Sequence, residues 1–427
     1  MLDIRRLRHE TEAVKDALAR RDSSLPDLVD LVLELDVTRR EALGVVNDLK
    51  AQRNEVSKRV GELKREGADA EAPILEMREV GVRIGELDVT IREADEEIEA
   101  LLLGIPNTPF DEVPEGDEDH NVLLSCHGSP ATFDFEPRPH WELGETLGIL
   151  DLARGSKVSG SGFPVLLADG ARLQRGLINF FLDVHVDEHA YTEVRVPYLV
   201  TSDTMTGTGQ LPKFAEESYQ TERDELWLIP TAEVPVTNLH RDELLAADDL
   251  PLRYTAYTPC FRREAGAAGK DTRGLLRVHQ FDKVELVRYE LPERSREALE
   301  ELTREAEVLL ERLGLHYRRL LLATGDLGQS GALTYDLEVW APGVDKWLEV
   351  SSCTTFTDYQ ARRANIRFRR SQAEKPEFVH TLNGSALALP RVMAALLETY
   401  QQADGSVDIP AALLPYMGGI TRLTPNG

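Results

Sequence analysis

Between Thr258 and Glu285 the chain reads TPCFRREAGAAGKDTRGLLRVHQFDKVE. Arg262 and Glu264 stand two apart before a loop holding Gly266, Gly269 and Gly274. Arg277, His279, Phe281, Lys283 and Glu285 follow it. Residues two apart on a strand share a face. The spacing therefore predicts Arg262 beside Glu264, and Arg277, His279 and Phe281 together, continued by Lys283 and Glu285. A guanidinium fork binds two phosphate oxygens at once. Glycine lets a backbone approach a ligand closely, and an aromatic ring can stack on a base or on an arginine plane. A lone Arg-x-Glu is more simply the outer face of a hairpin. The whole array exceeds what such a face needs and suits a phosphate-bearing ligand.

Three further segments have chemical character. Pro230-Thr-Ala-Glu-Val-Pro places a hydroxyl and a carboxylate between two prolines. Lys346-Trp-Leu-Glu-Val-Ser-Ser-Cys-Thr-Thr carries Glu349, Ser351 and Ser352. Alternation about Val350 predicts Glu349 and Ser351 on one strand face, a plausible oxygen site for magnesium. Asn383-Gly-Ser-Ala-Leu-Ala-Leu-Pro-Arg391 leads into an amphipathic pattern (Val392, Leu396, Leu397, Tyr400). Pro390 suits the first turn of a helix, and Arg391 could then meet phosphate near a positive helix end. Each segment taken singly is as well explained as a turn, a strand or a cap.

The elements that must carry these residues are mixed. A helix is expected near Leu173–His189, followed by an edge strand Thr192–Val200 containing Pro197. Further strands are expected at Leu226–Ile229, Leu252–Tyr257, Leu275–Leu286 and Thr334–Trp340. They lack regular βαβ alternation, so the fold class is α+β with a largely antiparallel sheet flanked by helices. No GxGxxG opens a helix and no GxxxxGK[ST] occurs, which argues against Rossmann and P-loop nucleotide sites. Residues 166–427 are the expected catalytic domain. Residues 105–165, rich in Pro, Gly and Asp, read as a linker with short extended segments.

Residues 1–104 are helical by pattern. Leu28, Val32, Leu35, Arg39, Ala42, Val46, Leu49, Arg53, Val56, Val60 and Leu63 alternate steps of four and three. Met77, Val80, Ile84, Leu87, Ile91, Ala94, Ile98 and Leu101 repeat the pattern after a turn at Arg65–Asp69. Two heptad helices joined by a short turn predict a projecting antiparallel coiled-coil hairpin.

The net charge of −26 alone argues against a nucleic-acid partner. Its distribution is uneven. Lys50, Arg53, Lys58, Arg59, Lys64 and Arg65 form a basic strip opposed only by Glu55 and Glu62, and Arg362–Arg370 holds five arginines and no acid. Such strips could hold a polyanion or be solvated faces. Cys126, Cys260 and Cys353 lie far apart without a CxxC pair, which favours a reducing cytoplasm over disulfides or a cysteine zinc site. No apolar run is long enough to span a bilayer, and no signal-peptide pattern opens the chain.

Taken in order, these segments resemble the class II aminoacyl-tRNA synthetases, and among them the bacterial-type seryl-tRNA synthetases, over nearly the whole chain. Cys260-Phe-Arg-Arg-Glu-Ala-Gly with Arg273-Gly-Leu-Leu-Arg-Val-His-Gln-Phe-Asp-Lys-Val-Glu resembles motif 2, and Asn383–Arg391 resembles motif 3. The helix and Pro197 strand resemble motif 1, the dimer element, which implies a homodimer. Thr231-Ala-Glu, Thr334-Tyr-Asp-Leu-Glu-Val-Trp, Glu349-Val-Ser-Ser and Gln360-Ala-Arg-Arg are similar to the seryl enzymes in particular.

The resemblance implies activation of L-serine by ATP to seryl-adenylate. Transfer of the seryl group to the 3′ end of serine tRNA would follow, with selenocysteine tRNA as a second candidate acceptor. It implies ATP binding by Arg262, Arg263, Glu264, Phe281, Glu349, Val350, Ser351, Ser352 and Arg391. Of these, Arg262, Glu264 and Arg391 would be catalytic, and Glu349 and Ser352 would hold Mg2+. Thr231, Ala232, Glu233, Glu285 and Ser385 would surround serine. The hairpin, through the strip from Lys50 to Arg65, would reach the long extra arm of serine tRNA. Ala386, Pro390, Leu333 and Thr354-Thr355 depart from residues that many members carry. A ligase delivering the amino acid to a non-tRNA acceptor is the alternative, opposed by the intact heptads and basic strip.

Overall fold

The computed structural model describes residues 1–265 and 273–425. Two compact units are present, one over residues 2–106 and the other over residues 107–427 together with Met1.

In the first unit, helix α1 (Leu25–Glu66) pairs with helix α2 (Glu71–Gly104). At about 1.5 Å per residue they run roughly 60 and 50 Å. The heptad positions form the seam: Val32, Ala42, Val46 and Val60 of α1, and Val80, Ile84, Ala94 and Ile98 of α2, are buried. Arg53 is the exposed exception in that series. Arg39 donates to Asp95 at 2.8 Å and Gln52 to Glu76 at 3.0 Å, which ties the antiparallel register. Gly67 closes α1 at φ 68°, with bonds from its own N–H to Lys64 O and from Ala68 N–H to Leu63 O. Only a residue at ease with positive φ makes that cap cheaply.

The second unit is built on an eight-stranded sheet. Its strands are β1 (Val122–His127), β2 (Thr192–Glu193), β3 (Leu252–Phe261), β4 (Gln280–Glu290), β5 (Tyr317–Leu321), β6 (Leu333–Ala341), β7 (Lys346–Thr357) and β8 (His380–Ala388). They lie in the order β1-β5-β6-β7-β8-β4-β3-β2. Every neighbouring pair is antiparallel except β2 with β3. Helices α3 (Ala168–Asp187), α4 (Ser295–Arg312) and α5 (Leu389–Thr399) pack on the sheet. Leu177 and Phe181 of α3, Leu302 and Leu309 of α4, and Val392 and Leu396 of α5 share one apolar core with Leu286, Leu337 and Leu382 of the sheet.

Four local expectations change. The strand expected at Thr192–Val200 is only two-residue pieces, Thr192–Glu193 and Leu199–Val200, on either side of Pro197, which has no N–H to give a ladder. That at Leu226–Ile229 shortens to Trp227–Leu228. Residues 105–165 hold more than extended pieces: β1 joins the main sheet, and His140–Thr146 and Leu152–Ser159 are helical. The arginines of 362–370 are largely engaged: Arg362 pairs with Asp358 at 2.7 Å, and Arg370 with Glu293 at 2.7 Å and Glu377 at 2.8 Å. Two of the five arginines of that strip are thus already held in ion pairs.

Candidate active site

Strands β3 and β4 form the hairpin predicted around the glycine loop, with Cys260 opposite Phe281 and Phe261 opposite Gln280. Gly266 and Gly269 lie outside the described residues. The ladder stops at Gln280, so Leu275–His279 is not the strand start that alternation suggested. Its peptide groups are claimed elsewhere: Leu275 N–H donates to His140 Nε2 at 2.9 Å, Leu276 O accepts from Arg391 Nε at 3.1 Å, and His279 N–H donates to Gly162 O at 2.9 Å. His279 therefore does not share the Phe281 face. It stacks on Phe163 at 5.2 Å. The Arg262 guanidinium lies over the Phe281 ring, 5.3 Å from its centroid. Arg277 ion-pairs with Glu264, whose φ of 51° is an uncommon left-handed conformation for a non-glycine residue.

A cavity of about 500 Å³ opens beside this hairpin. Its lining includes Thr231, Glu233, Arg262, Glu264, Glu349, Ser352 and Ser385. A second cavity shares Arg262, Glu264, Glu349 and Ser385 with it and adds Phe281 and Arg391. The predicted residues thus converge from the end of β3, from β4, β7 and β8, from the Thr231–Glu233 segment and from the start of α5. Arg391, in the first turn of α5 behind Pro390, donates through Nη1 to Glu349 O at 2.8 Å and meets the Glu349 carboxylate at 3.3 Å.

Five predicted residues line neither cavity. Ala232 and Val350 are buried in the protein. Arg263 points to Glu216 O at 3.0 Å. Ser351 turns inward, its hydroxyl donating to Ser385 O at 2.5 Å. Glu285 lies fully buried behind Lys283 and Asn383. The expected pairing of Glu349 with Ser351 fails because of a β-bulge. Ser351 stands opposite Leu337 and Glu349 opposite Glu338, which leaves Val350 as the extra residue. The bulge shifts the alternation by one, so Glu349 and Ser352 share the cavity instead.

At the Thr231 end the polar groups are interlocked. Glu233 opens a short helix (Glu233–Thr237) and accepts from Gln360 at 2.6 Å and Asn383 at 2.8 Å. Asn383 also donates to Glu285 at 3.1 Å. Lys283 Nζ lies 2.5 Å from Glu285 and 2.9 Å from the Thr231 hydroxyl. Burial, aided by the nearby Glu285 charge, pushes the Glu233 carboxyl up to about 7. Asp336, opposite Ser352 in the ladder, is likewise held well above the usual carboxylate range by burial and by Glu349. Its Oδ1 has no hydrogen-bond partner among the described residues. Lys283, Asn383, Gln360 and Asp336 had been assigned no site role from the sequence. The available signal was a polar side chain in an otherwise apolar strand or helix stretch.

On α1, Lys50, Arg53, Lys58, Arg59, Lys64 and Arg65 are all exposed. Arg65 bonds to Gly61 O at 3.2 Å.

Comparison with known proteins adds an independent line. Residues 214–400 match the model of the tRNA synthetase class II core domain (G, H, P, S and T), and residues 1–109 that of the seryl-tRNA synthetase N-terminal domain. A serine–tRNA ligase of Gemmatimonas aurantiaca is 56% identical, covering 98% of this chain and 99% of that protein. One from Staphylococcus haemolyticus is 52% identical over 100% of this chain and 99% of its own length. Among solved structures, the seryl-tRNA synthetase of Pyrococcus horikoshii complexed with ATP is similar over 100% of both chains, with a TM-score of 0.95 and 40% identity.

Proposed function

Because this chain belongs to the seryl-tRNA synthetase family of class II synthetases, we infer that its cleft joins serine to ATP and passes the seryl group to the 3′ end of tRNA. The observation that carries the reading is the division of the connected cavities. Arg262, Phe281 and Arg391 gather at one end, and Thr231 and Glu233 at the other.

In the first step the serine carboxylate attacks the α-phosphorus of ATP and pyrophosphate leaves, giving seryl-adenylate. In the second, the terminal ribose hydroxyl of tRNA attacks the seryl carbonyl and AMP leaves. A carboxylate is already a nucleophile, so the first step needs alignment and charge neutralisation more than a general base. Arg262 and Arg391 would hold phosphate oxygens, and Phe281 would stack on adenine. Thr231, Glu233 and Glu285 would form the ammonium end of the serine pocket, with Ser385 near the side chain. The hydroxyl would be read by hydrogen bonds, which penalises alanine by leaving buried polar groups unpaired.

Glu349 and Ser352 would hold Mg2+, whose contribution there is neutralisation of phosphate charge. The site fits in donor chemistry: it offers oxygens only, and buried Asp336 Oδ1 stands unpartnered beside Ser352. Among the described residues no three acidic, histidine or cysteine side chains cluster as a cage. Waters and phosphate oxygens would complete the shell, as magnesium prefers.

The helical arm, residues 1–104, would carry the tRNA contacts through its exposed basic strip, with serine tRNA as the acceptor. The match of residues 1–109 to the seryl N-terminal domain favours tRNA over a carrier protein. No helix among the described residues is long and apolar enough to cross a membrane. A cytoplasmic homodimer completes the proposal.

The test is charging of unfractionated bacterial tRNA with labelled serine, ATP and magnesium, beside serine-dependent ATP–pyrophosphate exchange. Charging supports the reading. Exchange without charging would keep the adenylation site and redirect the acceptor. The absence of both activities would overturn the reading.

A further inference from the structure

His140 and Glu398 form a buried pair outside the residues that line the cleft. Both side chains are fully enclosed. Glu398 Oε1 lies 2.7 Å from His140 Nδ1 and accepts the His140 backbone N–H at 2.9 Å. Glu398 Oε2 accepts the N–H groups of Gly343 at 2.8 Å and Val344 at 3.1 Å. The other ring nitrogen of His140 faces a backbone donor, Leu275 N–H, at 2.9 Å. A backbone N–H can only donate. His140 Nε2 must therefore accept, and the ring proton sits on Nδ1 toward the carboxylate.

The contact is tailored from the Leu275 side as well. Gly274 has φ 69°, and a Cβ there would stand 2.3 Å from His140 Nε2. The neighbouring Arg273 guanidinium lies over the Trp141 ring at 4.7 Å.

Glu398 is seven residues along α5 from Arg391, which puts both on one helix face. Arg391, at the start of the helix, bonds Leu276 O; Glu398, at its end, acts through His140 on Leu275 N–H. One helix thus grips the backbone of two adjacent residues from both of its ends. The gripped segment is the one that failed to become strand. Leu275, Leu276, Arg277 and Val278 wall the cavity that contains Phe281.

We propose that His140 and Glu398 are positioning residues for the nucleotide end of the cleft: the Glu398–His140–Leu275 chain sets the wall that carries Arg277 toward Glu264. The proposal rests on the reading of that end as the ATP site. It assigns a role to a segment that sequence reasoning placed in a linker.

The experiment is serine-dependent ATP–pyrophosphate exchange with the full-length chain, the wild type serving as the control for the reading itself. His140→Phe keeps an aromatic ring, somewhat larger, and removes both hydrogen bonds of the side chain. His140→Gln can return an acceptor near the Nε2 position. Small displacements of positioning groups are felt strongly in catalysis. The expected result for His140→Phe is a rise of about tenfold or more in KM for ATP. KM for serine should stay within about twofold, and His140→Gln should recover most of the loss. Gly274→Ala reaches the same contact from the loop side, its Cβ crowding His140 Nε2 while both residues of the pair are retained, and should raise KM for ATP in the same way. It keeps the test available if His140→Phe does not fold. A purely structural pair would lower the unfolding midpoint while leaving the ratio of the two KM values unchanged, and that outcome overturns the proposal. So does an unaltered KM for ATP in folded Gly274→Ala. Absence of exchange in the wild type would instead refute the reading of the cleft.

Discussion

Lys283 sets its ammonium 2.5 Å from Glu285 Oε2 and 2.9 Å from Thr231 Oγ1. Both side chains of the ion pair are buried and, two apart on β4, share a face. The lysine stands among the groups proposed to receive the ammonium of serine.

Removing it should leave Glu285 buried without its cation. Lys283→Met is expected to destabilise the fold by about 3 kcal/mol, since breaking a buried pair from one side exposes the other charge to full desolvation. Saturating serine should raise the unfolding midpoint more in the variant than in the wild type, because the substrate ammonium restores a partner. Equal thermal shifts in the two proteins would show that serine does not reach Glu285.

Glu233 titrates near 7 in the folded protein, against an ordinary 4.5. Between those values the native state binds the extra proton, so the contribution of this group to stability declines as pH rises from 4.5 to about 7. Ionisation should have the opposite effect on substrate binding, because an ammonium prefers a carboxylate. KM for serine is expected to fall between pH 6 and pH 8 in exchange assays, and Glu233→Gln should flatten that dependence. An identical pH profile in the variant would remove Glu233 from the serine site.

Arg262 is exposed at the mouth of the cleft and makes no buried contact that the fold requires. Arg262→Ala should therefore preserve the circular-dichroism spectrum and unfolding midpoint. Exchange should fall by about 10²-fold or more, the scale expected for losing a preorganised charge on a reacting phosphate. Near-normal exchange would contradict its phosphate role.

On the helical arm, replacing Lys58, Arg59, Lys64 and Arg65 together with Gln should leave exchange within about twofold while weakening tRNA charging. Each lost phosphate contact should lower the slope of log affinity against log salt by about one. An unchanged slope would place the tRNA contacts elsewhere.

Much of the molecule was legible before its structure. The heptads determined the arm because a helix places every third and fourth residue on one stripe, whatever else the chain does. Alternation on β4 likewise put Lys283 beside Glu285, residue chemistry marked Arg262 and Arg391 for phosphate and Glu349 for magnesium, and the family resemblance joined them in one site. Three things were decided only by tertiary packing. The extra residue at Val350 moved Ser351 inward and brought Ser352 beside Glu349, because a bulge depends on the partner strand and not on the strand's own pattern. Leu275–His279 left the ladder because His140, Arg391 and Gly162 satisfied its peptide groups. Glu398 found His140 across 258 residues of chain. Periodicity reports which face a residue occupies. Which buried donor meets which acceptor is settled only when every enclosed polar group has to be satisfied at once.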